Sequence, residues 1–418
     1  MRVGRIVTRA LLTTGVITTL GAPLRAPLRA QERLVGQQTI GGGVSFEGIR
    51  FGGDGLRQFG FASLDSARVR SVRQLSMPAT TAWALGPSWR VDLTALYASA
   101  TVTYRDAKQG SADRTATLSG VSDVRVRATG TLINDLLVMT AGVNLPSGQT
   151  SLSGNEFAVL RIMAAPALGL GSTPVGAGAS GTLGLVAARR VGPWAVAVGG
   201  SYEYRGKYQP VAALVAGSAS ADFRPGGVMR ASLTGDRTVG PHRLSLAFTA
   251  DVFAEDELRS PVSGGTTTSA STLVRLGPVV SGDVQMQFAA NGFRQLLGYA
   301  SLRMRAPYSR NGETVKKSSG QYADAGMRAA IGLGPQRDLV LAADGRLHTG
   351  LGVDEGLPTS GVASGSVSVG LEVRRGLFSV QPYVRGQAGS LRQRNAGPTV
   401  PTQSFTGYAS GVVAVIRF

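Results

Sequence analysis

Apolar and polar residues alternate with a period of two in short segments along the whole chain. The last eleven residues, YASGVVAVIRF, place Tyr408, Ile416 and Phe418 on one apolar stripe. Successive side chains of a strand point to opposite faces, so each such segment has one apolar and one polar face. The same alternation recurs in 89–97, 243–252, 299–306, 338–348 and 364–374. Charges of both signs lie on the polar faces, which favours strands between lipid and water over a packed soluble sandwich.

The composition favours the same all-β class. Only 16% of the residues are charged, against roughly 25% in an ordinary soluble domain, and 58 of 418 are Gly. The chain has no apolar run long enough to span a membrane as a helix. Because it contains no Cys, thiolate catalysis, disulfides and Cys-type zinc sites are excluded.

Short and long connections alternate between the segments. Gly, Pro, Asn and Asp supply the backbone angles of tight turns, and we predict seven such turns, at Gly86-Pro87, Asn134-Asp135, Gly192-Pro193, Gly240-Pro241, Asn291-Gly292, Gly334-Pro335 and Arg375-Gly376. Long polar loops are predicted at 52–67, 105–116, 146–175, 209–222, 257–271, 309–320, 353–361 and 392–404. This asymmetry is typical of transmembrane β-barrels.

Seven turns imply fourteen strands, and strands at about 38–51 and 405–418 raise the number to sixteen. If 31–67 forms an N-terminal plug, fourteen is the alternative. All three Trp lie beside short turns, and six Tyr are predicted toward the long loops, giving two interfacial aromatic bands: Tyr97, Tyr104, Tyr202, Tyr204, Tyr299 and Tyr308.

The closing strand resembles that of Gram-negative outer-membrane β-barrel proteins, in which the terminal Phe strand is the assembly signal. The resemblance implies that Tyr408, Ile416 and Phe418 form this signal. It also implies location in the cell outer membrane, with lipid, lipopolysaccharide and the barrel assembly machinery as partners. The segment 141–169, with a short helix predicted at 154–164 inside loop 146–175, loosely resembles the long-chain fatty-acid and aromatic-compound transporter barrels.

The N-terminus has the features of a signal peptide. Arg2, Arg5 and Arg9 form a basic start, a short apolar stretch follows at 10–20, and cleavage is predicted after Ala30. We therefore divide the chain into a signal peptide at 1–30 and a barrel at 31–418.

Charged side chains on the polar faces are the candidate pore lining. The predicted set is Arg125, Arg127, Arg205, Arg230, Asp283, Arg303, Arg305, Arg328, Asp344, Arg346, Glu372 and Arg374. They predict a passive channel for small solutes with a mild preference for anions, helped by a positive patch over 303–328. A lumen closed by ion pairs is the competing interpretation. The alternative function is a structural or surface-interaction barrel whose long loops bind lipopolysaccharide or a protein partner.

Covalent chemistry is not predicted. His242 falls in a short turn, and His348 points inward without a Ser or a carboxylate pair that the sequence can place beside it. Two isolated His and no Cys favour neither a metal site nor a cofactor. The Arg residues are scattered, with no basic helix or aromatic-rich motif, so nucleic acid is not an expected partner.

Overall fold

The structure is a computed structural model that describes residues 38–58, 67–86, 88–106, 112–133, 136–164, 168–170, 174–211, 221–260, 270–316, 318–350, 359–393 and 402–418. The predicted signal peptide and the turn Asn134-Asp135 lie outside these residues. Among the described residues, no helix is both long and apolar enough to cross a membrane.

Strands dominate the described chain. In order they are β1 (Thr39–Phe51), β2 (Leu56–Gln58), β3 (Ala67–Leu85), β4 (Trp89–Asp106), β5 (Arg114–Val121), β6 (Val124–Leu132), β7 (Leu137–Leu145), then helix α1 (Gly154–Met163), β8 (Ser180–Val191), β9 (Trp194–Arg205), β10 (Tyr208–Val211), β11 (Ala221–Arg224), β12 (Val228–Val239), β13 (His242–Phe253), β14 (Glu255–Ser260), β15 (Ala270–Arg275), β16 (Val279–Phe288), β17 (Gln295–Arg305), β18 (Ser309–Arg310), β19 (Glu313–Thr314), β20 (Gly320–Gly334), β21 (Arg337–Gly350), β22 (Thr359–Arg375), β23 (Phe378–Gln393) and β24 (Gln403–Arg417).

A closed antiparallel barrel of 16 strands forms from this set. The ring runs through β1, β3, β4, β6–β9, β12, β13, β16, β17 and β20–β24. It closes where β1 pairs with β24, from Thr39 opposite Arg417 to Phe51 opposite Phe405. β5 continues the line of β6, since both pair with β4. The sixteen-strand prediction is confirmed, and because β1 lies in the wall, the fourteen-strand alternative with a plug is wrong.

The outer surface carries an apolar band. Phe248 is 49% exposed and its sheet neighbour Leu233 is 45% exposed, whereas Asp251, on the opposite face of β13, is buried. Val412 and Tyr408 are likewise exposed on β24. So many large apolar side chains on the outer surface require a lipid environment. The predicted division into a lipid face and a lumen face is confirmed on β13, and the predicted outer stripe of β24 is exposed at Tyr408 and Val412.

Tight turns join the strands at one end of the barrel, here called the short-turn end. Val191 pairs with Trp194 and Val239 with His242, so only two residues form each turn. Gly192 and Gly240 have φ values of +56° and +58° in these turns. Gly adopts this left-handed conformation without the steric cost that a Cβ would bring.

At the opposite, long-loop end, several connections contain strands. The six short strands β10, β11, β14, β15, β18 and β19 form a second sheet, here called the extension sheet. They continue the hairpins of the wall beyond local breaks, such as the one at Ala254 between β13 and β14. The loops predicted at 209–222, 257–271 and 309–320 are therefore partly β-structure.

The aromatic bands agree only in part with the sequence prediction. Tyr97, Tyr202 and Tyr204 are exposed on the outer surface. Tyr104 is instead buried inside the barrel, and Tyr299 lies in the middle of the wall, between Gln285 and Gly326. Placing these two residues in the interfacial band is wrong.

Candidate functional site: the lumen

Toward the long-loop end, part of the lumen is filled by an apolar cluster. Inward side chains of the wall pack there against α1, among them Ile49, Phe51, Val72, Val102, Tyr104 and Phe405. On the same stretch of β4, Thr101 and Thr103 point outward, since they alternate with the buried Val102. The apolar face thus changes from outside to inside where the strands leave lipid. Burying each large apolar side chain stabilises the fold by about 1.5–3 kcal/mol.

Helix α1 folds into the lumen within the loop where the sequence predicts a short helix. Its N-terminus has a capping box: Ser153 Oγ accepts from the Glu156 N–H at 3.4 Å, and the Glu156 carboxylate accepts from the Ser153 N–H at 2.8 Å. Its buried face, which includes Val159 and Ile162, joins the apolar cluster. The loop therefore narrows the lumen.

Asp123 fastens both ends of this inward segment to the wall. It lies in the break between β5 and β6 and is only 7% exposed. Its carboxylate accepts from the Gly148 N–H at 3.0 Å and from the Ala177 N–H at 2.7 Å. The two bonded amides lie on either side of α1 in the sequence, so one carboxylate holds both ends of the segment against the wall. We call this contact the Asp123 latch.

Ion pairs line the lumen wall formed by β20–β23. Arg346 Nε lies 2.8 Å from Asp324 Oδ1 on the neighbouring strand. Asp344 accepts from Ser366 Oγ at 2.6 Å, and Ser366 in turn accepts from Arg385 Nε at 2.9 Å. This part of the wall is therefore a polar network of matched charges.

Nearer the short-turn end of the same wall, two cations converge on one carboxylate. Asp338 is buried and forms ion pairs with Arg374 and Arg294. The Arg294 Nε lies 2.9 Å from Asp338 Oδ1. Arg374 also contacts Glu372, with Nε to Oε1 at 3.2 Å. Surrounding both acids with guanidinium groups offsets the cost of removing their charges from water.

Strands β12 and β13 carry two further ion pairs. Arg230 binds Asp251 through two parallel hydrogen bonds of 2.6 and 2.9 Å. Near the short-turn end, Asp236 accepts from Arg243 Nε and from Ser245 Oγ, both at 2.8 Å.

On β4 and β6, two arginines share one acid. Asp92 binds Arg90 Nε at 2.7 Å and lies 3.5 Å from Arg127 Nη2. Among the predicted pore-lining residues, Arg127, Arg230, Asp344, Arg346, Glu372 and Arg374 are thus members of ion-pair networks.

Two predicted pore-lining arginines are exposed in the lumen without an ion pair among the described residues. Arg125 of β6 lies between Thr94 and Asn144, and Arg303 of β17 lies between Ser281 and Tyr322. β6 and β17 are seven strands apart in the ring of 16, on nearly opposite walls. Both side chains stand about eight residues from the short-turn end of their strands.

The predicted positive patch over 303–328 does not form. Arg328 lies opposite Leu297, six residues from Arg303 along β17, and its Nη2 donates to Gln381 Oε1 at 3.4 Å. Arg305 faces inward next to Val279 and is buried. Register depends on the pairing of both strands, which the sequence of one strand does not determine.

Arg205 and Asp283, two further residues of the predicted pore lining, lie on β9 and β16. Arg205 ends β9, where Nε donates to the Gly226 carbonyl at 2.7 Å and Nη2 lies 3.4 Å from Asp256. Burial raises the pKa of Asp256 although the Gly226 N–H donates to it at 2.6 Å. Asp283 faces the lumen between Ala247 and Ser301.

Sequence analysis missed two features of the lumen. Arg294 precedes β17 and was not assigned to the lumen, although it lies against Asp338. Glu47 is buried on the lumen side of β1, opposite Gln74. The alternation of TIGGGVSFEGIRF gave a usable signal for Glu47, whereas Arg294 lies outside any alternating segment.

Each of the two His side chains contacts a neighbouring group of the protein. His348 stacks on Tyr322 with ring centroids 4.1 Å apart. His242 Nδ1 accepts from the Ala289 N–H at 3.2 Å. In the described part of the chain, no group of three or more His, Asp or Glu side chains could hold a metal ion.

No protein-family model matches this chain, and no curated protein sequence matches it. Several solved structures are similar. OprB of Pseudomonas putida shares 12% identity over 91% of this chain and 93% of its own, with a TM-score of 0.45. The CymD monoaromatic hydrocarbon channel shares 9% over 91% and 88%, with a TM-score of 0.39. OccK7 of Pseudomonas aeruginosa shares 9% over 91% and 99%, with a TM-score of 0.41. Similarity at this level transfers no substrate.

Proposed function

We propose that this protein is a passive channel of the outer membrane for small hydrophilic solutes, with a mild preference for anions. The carrying observation is a closed ring of 16 strands whose lumen face bears charged and hydroxyl side chains and whose outer face is apolar. Barrels of this strand number are wide enough for an aqueous channel. The ion-paired walls add little net charge.

Arg125 and Arg303 give the expected selectivity. They face the lumen from nearly opposite walls at a similar depth, so an ion that crosses the barrel passes between two positive charges. Fixed charges that line a pore favour ions of the opposite sign. The preference is mild because most other charges in the lumen are neutralised by neighbours.

Conductance and reversal potentials in planar bilayers test this proposal. We expect steady ion-conducting steps and a weak preference for chloride under a salt gradient. The double variant Arg125→Glu/Arg303→Glu should reverse the sign of the reversal potential. The control Arg275→Glu/Arg310→Glu makes the same charge change on the extension sheet and should leave the sign unchanged. Wild-type cation selectivity, or no response to the lumen double variant, would contradict the role of these arginines.

A structural or surface-interaction barrel is the second candidate, because α1 and the apolar cluster occupy part of the lumen. In that case a correctly folded protein conducts no ions in the bilayer. The Asp123→Ala variant lacks the latch. If it conducts ions while the wild type does not, the wild type is a closed channel and not a purely structural barrel.

A further inference from the structure

The outer surface of β1 and β3 carries a cluster of arginines just beyond the apolar band. Arg50 lies between the buried Ile49 and Phe51 and therefore points outward. By the same alternation Arg73, between Val72 and Gln74, and Arg68, between Ala67 and Val69, also point outward. We call Arg50, Arg68 and Arg73 the outer arginine cluster.

Neighbouring positions bring these charges together. Arg50 pairs with Ser71, two residues from Arg73 on β3, and Arg73 pairs with Gly48, two residues from Arg50 on β1. Such diagonal neighbours are about 7–8 Å apart between backbones. Arg68 stands directly opposite Arg105, whose Nε is already bonded to Asp113 at 2.8 Å. Like charges at this spacing repel each other unless an anion or water screens them.

Within the described residues, no ion pair or hydrogen bond neutralises the three arginines of the cluster. Arg50 and Arg73 are exposed, and Arg68 is half-exposed. The carboxylate nearest in sequence to Arg50 on its own strand, Glu47, is buried on the lumen side. Over the part of the chain that the structure describes, the cluster is therefore a positive surface without a neutralising partner.

The depth of the cluster matches the headgroup level of the membrane. Arg50 lies four residues beyond the exposed Phe46 on the same face, and Arg73 lies four residues beyond the exposed Met77. Four residues of a tilted strand rise by about 10 Å. Leu75 on the outer face of β3, two residues from Arg73, and Tyr408, opposite Gly48, lie between these levels. Arg50 and Arg73 thus stand about 5–10 Å beyond the outermost large apolar side chains, and Arg68, five residues beyond Arg73, stands farther out.

Hydroxyl groups surround the arginines. Arg50 lies between Thr406 and Ser71 in the sheet, and Thr103 follows on β4. Arg73 lies opposite Thr101, whose Oγ1 is 3.3 Å from Thr117 Oγ1. Guanidinium groups bind phosphate oxygens through paired hydrogen bonds, and hydroxyl groups suit the oxygens of a sugar.

A shallow groove of small residues leads to the same place. The groove follows a row of residues that pair with one another across neighbouring strands, Ala300, Ala325, Gly345, Gly365 and Ala388, from β17 to β23. The same row continues to Thr406 on β24 and Arg50 on β1. Exposed apolar side chains flank it, including Leu347 on one side and Met327 and Val367 on the other. Because the strands tilt, the row rises by about 15 Å from β17 to the cluster. An acyl chain fits a groove of this course.

We propose that the outer arginine cluster binds the phosphorylated sugar headgroup of an acylated glycolipid, the lipid A part of lipopolysaccharide. Charge, depth and surrounding hydroxyls all match this ligand. The site lies on the barrel wall and does not involve the long loops. It is independent of conduction through the lumen, so a barrel that is silent in a bilayer leaves the proposal intact.

Binding of diphosphorylated lipid A to the purified, folded full-length chain tests the site. The triple variant Arg50→Ala/Arg68→Ala/Arg73→Ala should raise the Kd at least about tenfold, since bonds to charged groups are lost. The control Arg224→Ala/Arg275→Ala/Arg310→Ala removes three arginines from the extension sheet and should change the Kd by less than about twofold. Lipid A stripped of its phosphates, and phosphatidylglycerol in vesicles, should bind the wild type about tenfold more weakly.

A heat-induced shift in electrophoretic mobility shows whether each variant forms a barrel. If the triple variant does not fold, the single variants Arg50→Gln and Arg73→Gln are measured and should each weaken binding about threefold. Undiminished lipid A affinity in a folded cluster variant would overturn the proposal. So would an equal loss in the control, or equal binding of lipid A without phosphates.

Discussion

The Asp123 latch allows a quantitative prediction for the segment that enters the lumen. The carboxylate is buried and accepts two backbone N–H bonds, one from each side of α1. A hydrogen bond to a charged group contributes about 1.5–3 kcal/mol. Taking the lower figure for both bonds, Asp123→Ala should lower the free energy of opening of the segment by about 3 kcal/mol. Amide hydrogens of α1 should then exchange about a hundredfold faster.

Hydrogen exchange of α1, followed by mass spectrometry, measures this effect directly. Asp123→Asn keeps one acceptor oxygen without the charge, so its exchange should lie between wild type and Asp123→Ala. Asp236→Ala removes a lumen carboxylate that does not contact the segment, and it should leave exchange of α1 unchanged. Single-channel recordings should show larger and noisier openings for Asp123→Ala. Unchanged exchange of α1 in that variant would refute the latch and leave the apolar cluster as the main restraint.

Three further predictions concern the wall, the extension sheet and assembly. Phe248→Arg on the lipid face should cost about 2–4 kcal/mol in unfolding from vesicles, whereas Thr249→Arg on the lumen face should be nearly neutral; equal costs would mean that the faces are exchanged. Burial raises the pKa of Asp256, so the folded state binds its proton more tightly and the extension sheet should lose stability as pH rises through that pKa. Hydrogen exchange of β11 and β14 checks this, and Asp256→Asn should remove the dependence. Phe418→Asp should leave the protein in the periplasm if the closing strand is the assembly signal, and normal surface levels on fractionation would contradict that role.

The sequence determines this barrel well where one rule applies to every strand. Phe248 and Asp251 fall on their correct faces because lipid outside and water inside impose a period of two throughout the membrane. The turn at Gly240 could be located because a positive φ selects Gly. Each of these features depends on local chemistry that is visible in a few adjacent residues.

Other features depend on contacts between distant segments and were not predictable. The alternation predicts Tyr104 on the outer surface, but this stretch of β4 has already left lipid, and its inward side chains join the apolar cluster with α1. The separation of Arg328 from Arg303 depends on the register between β17 and β20, and the residues of one strand alone do not determine that register. The Asp123 latch joins a wall residue to amides 25 and 54 positions away, a pairing for which a single sequence carries no signal.

The ladder between β1 and β24 has a kinetic consequence. Thirteen residues of β1 pair with residues more than 350 positions away, so no local contact can align this edge early. Contacts over such separations form slowly, because the entropy of closing the loop is lost before the pairing is gained. Gly41, Gly42 and Gly43 also give the edge a low intrinsic strand propensity. We therefore expect the ring to remain open until β24 is in place, and sealing of this single seam to be the slow, final step of folding.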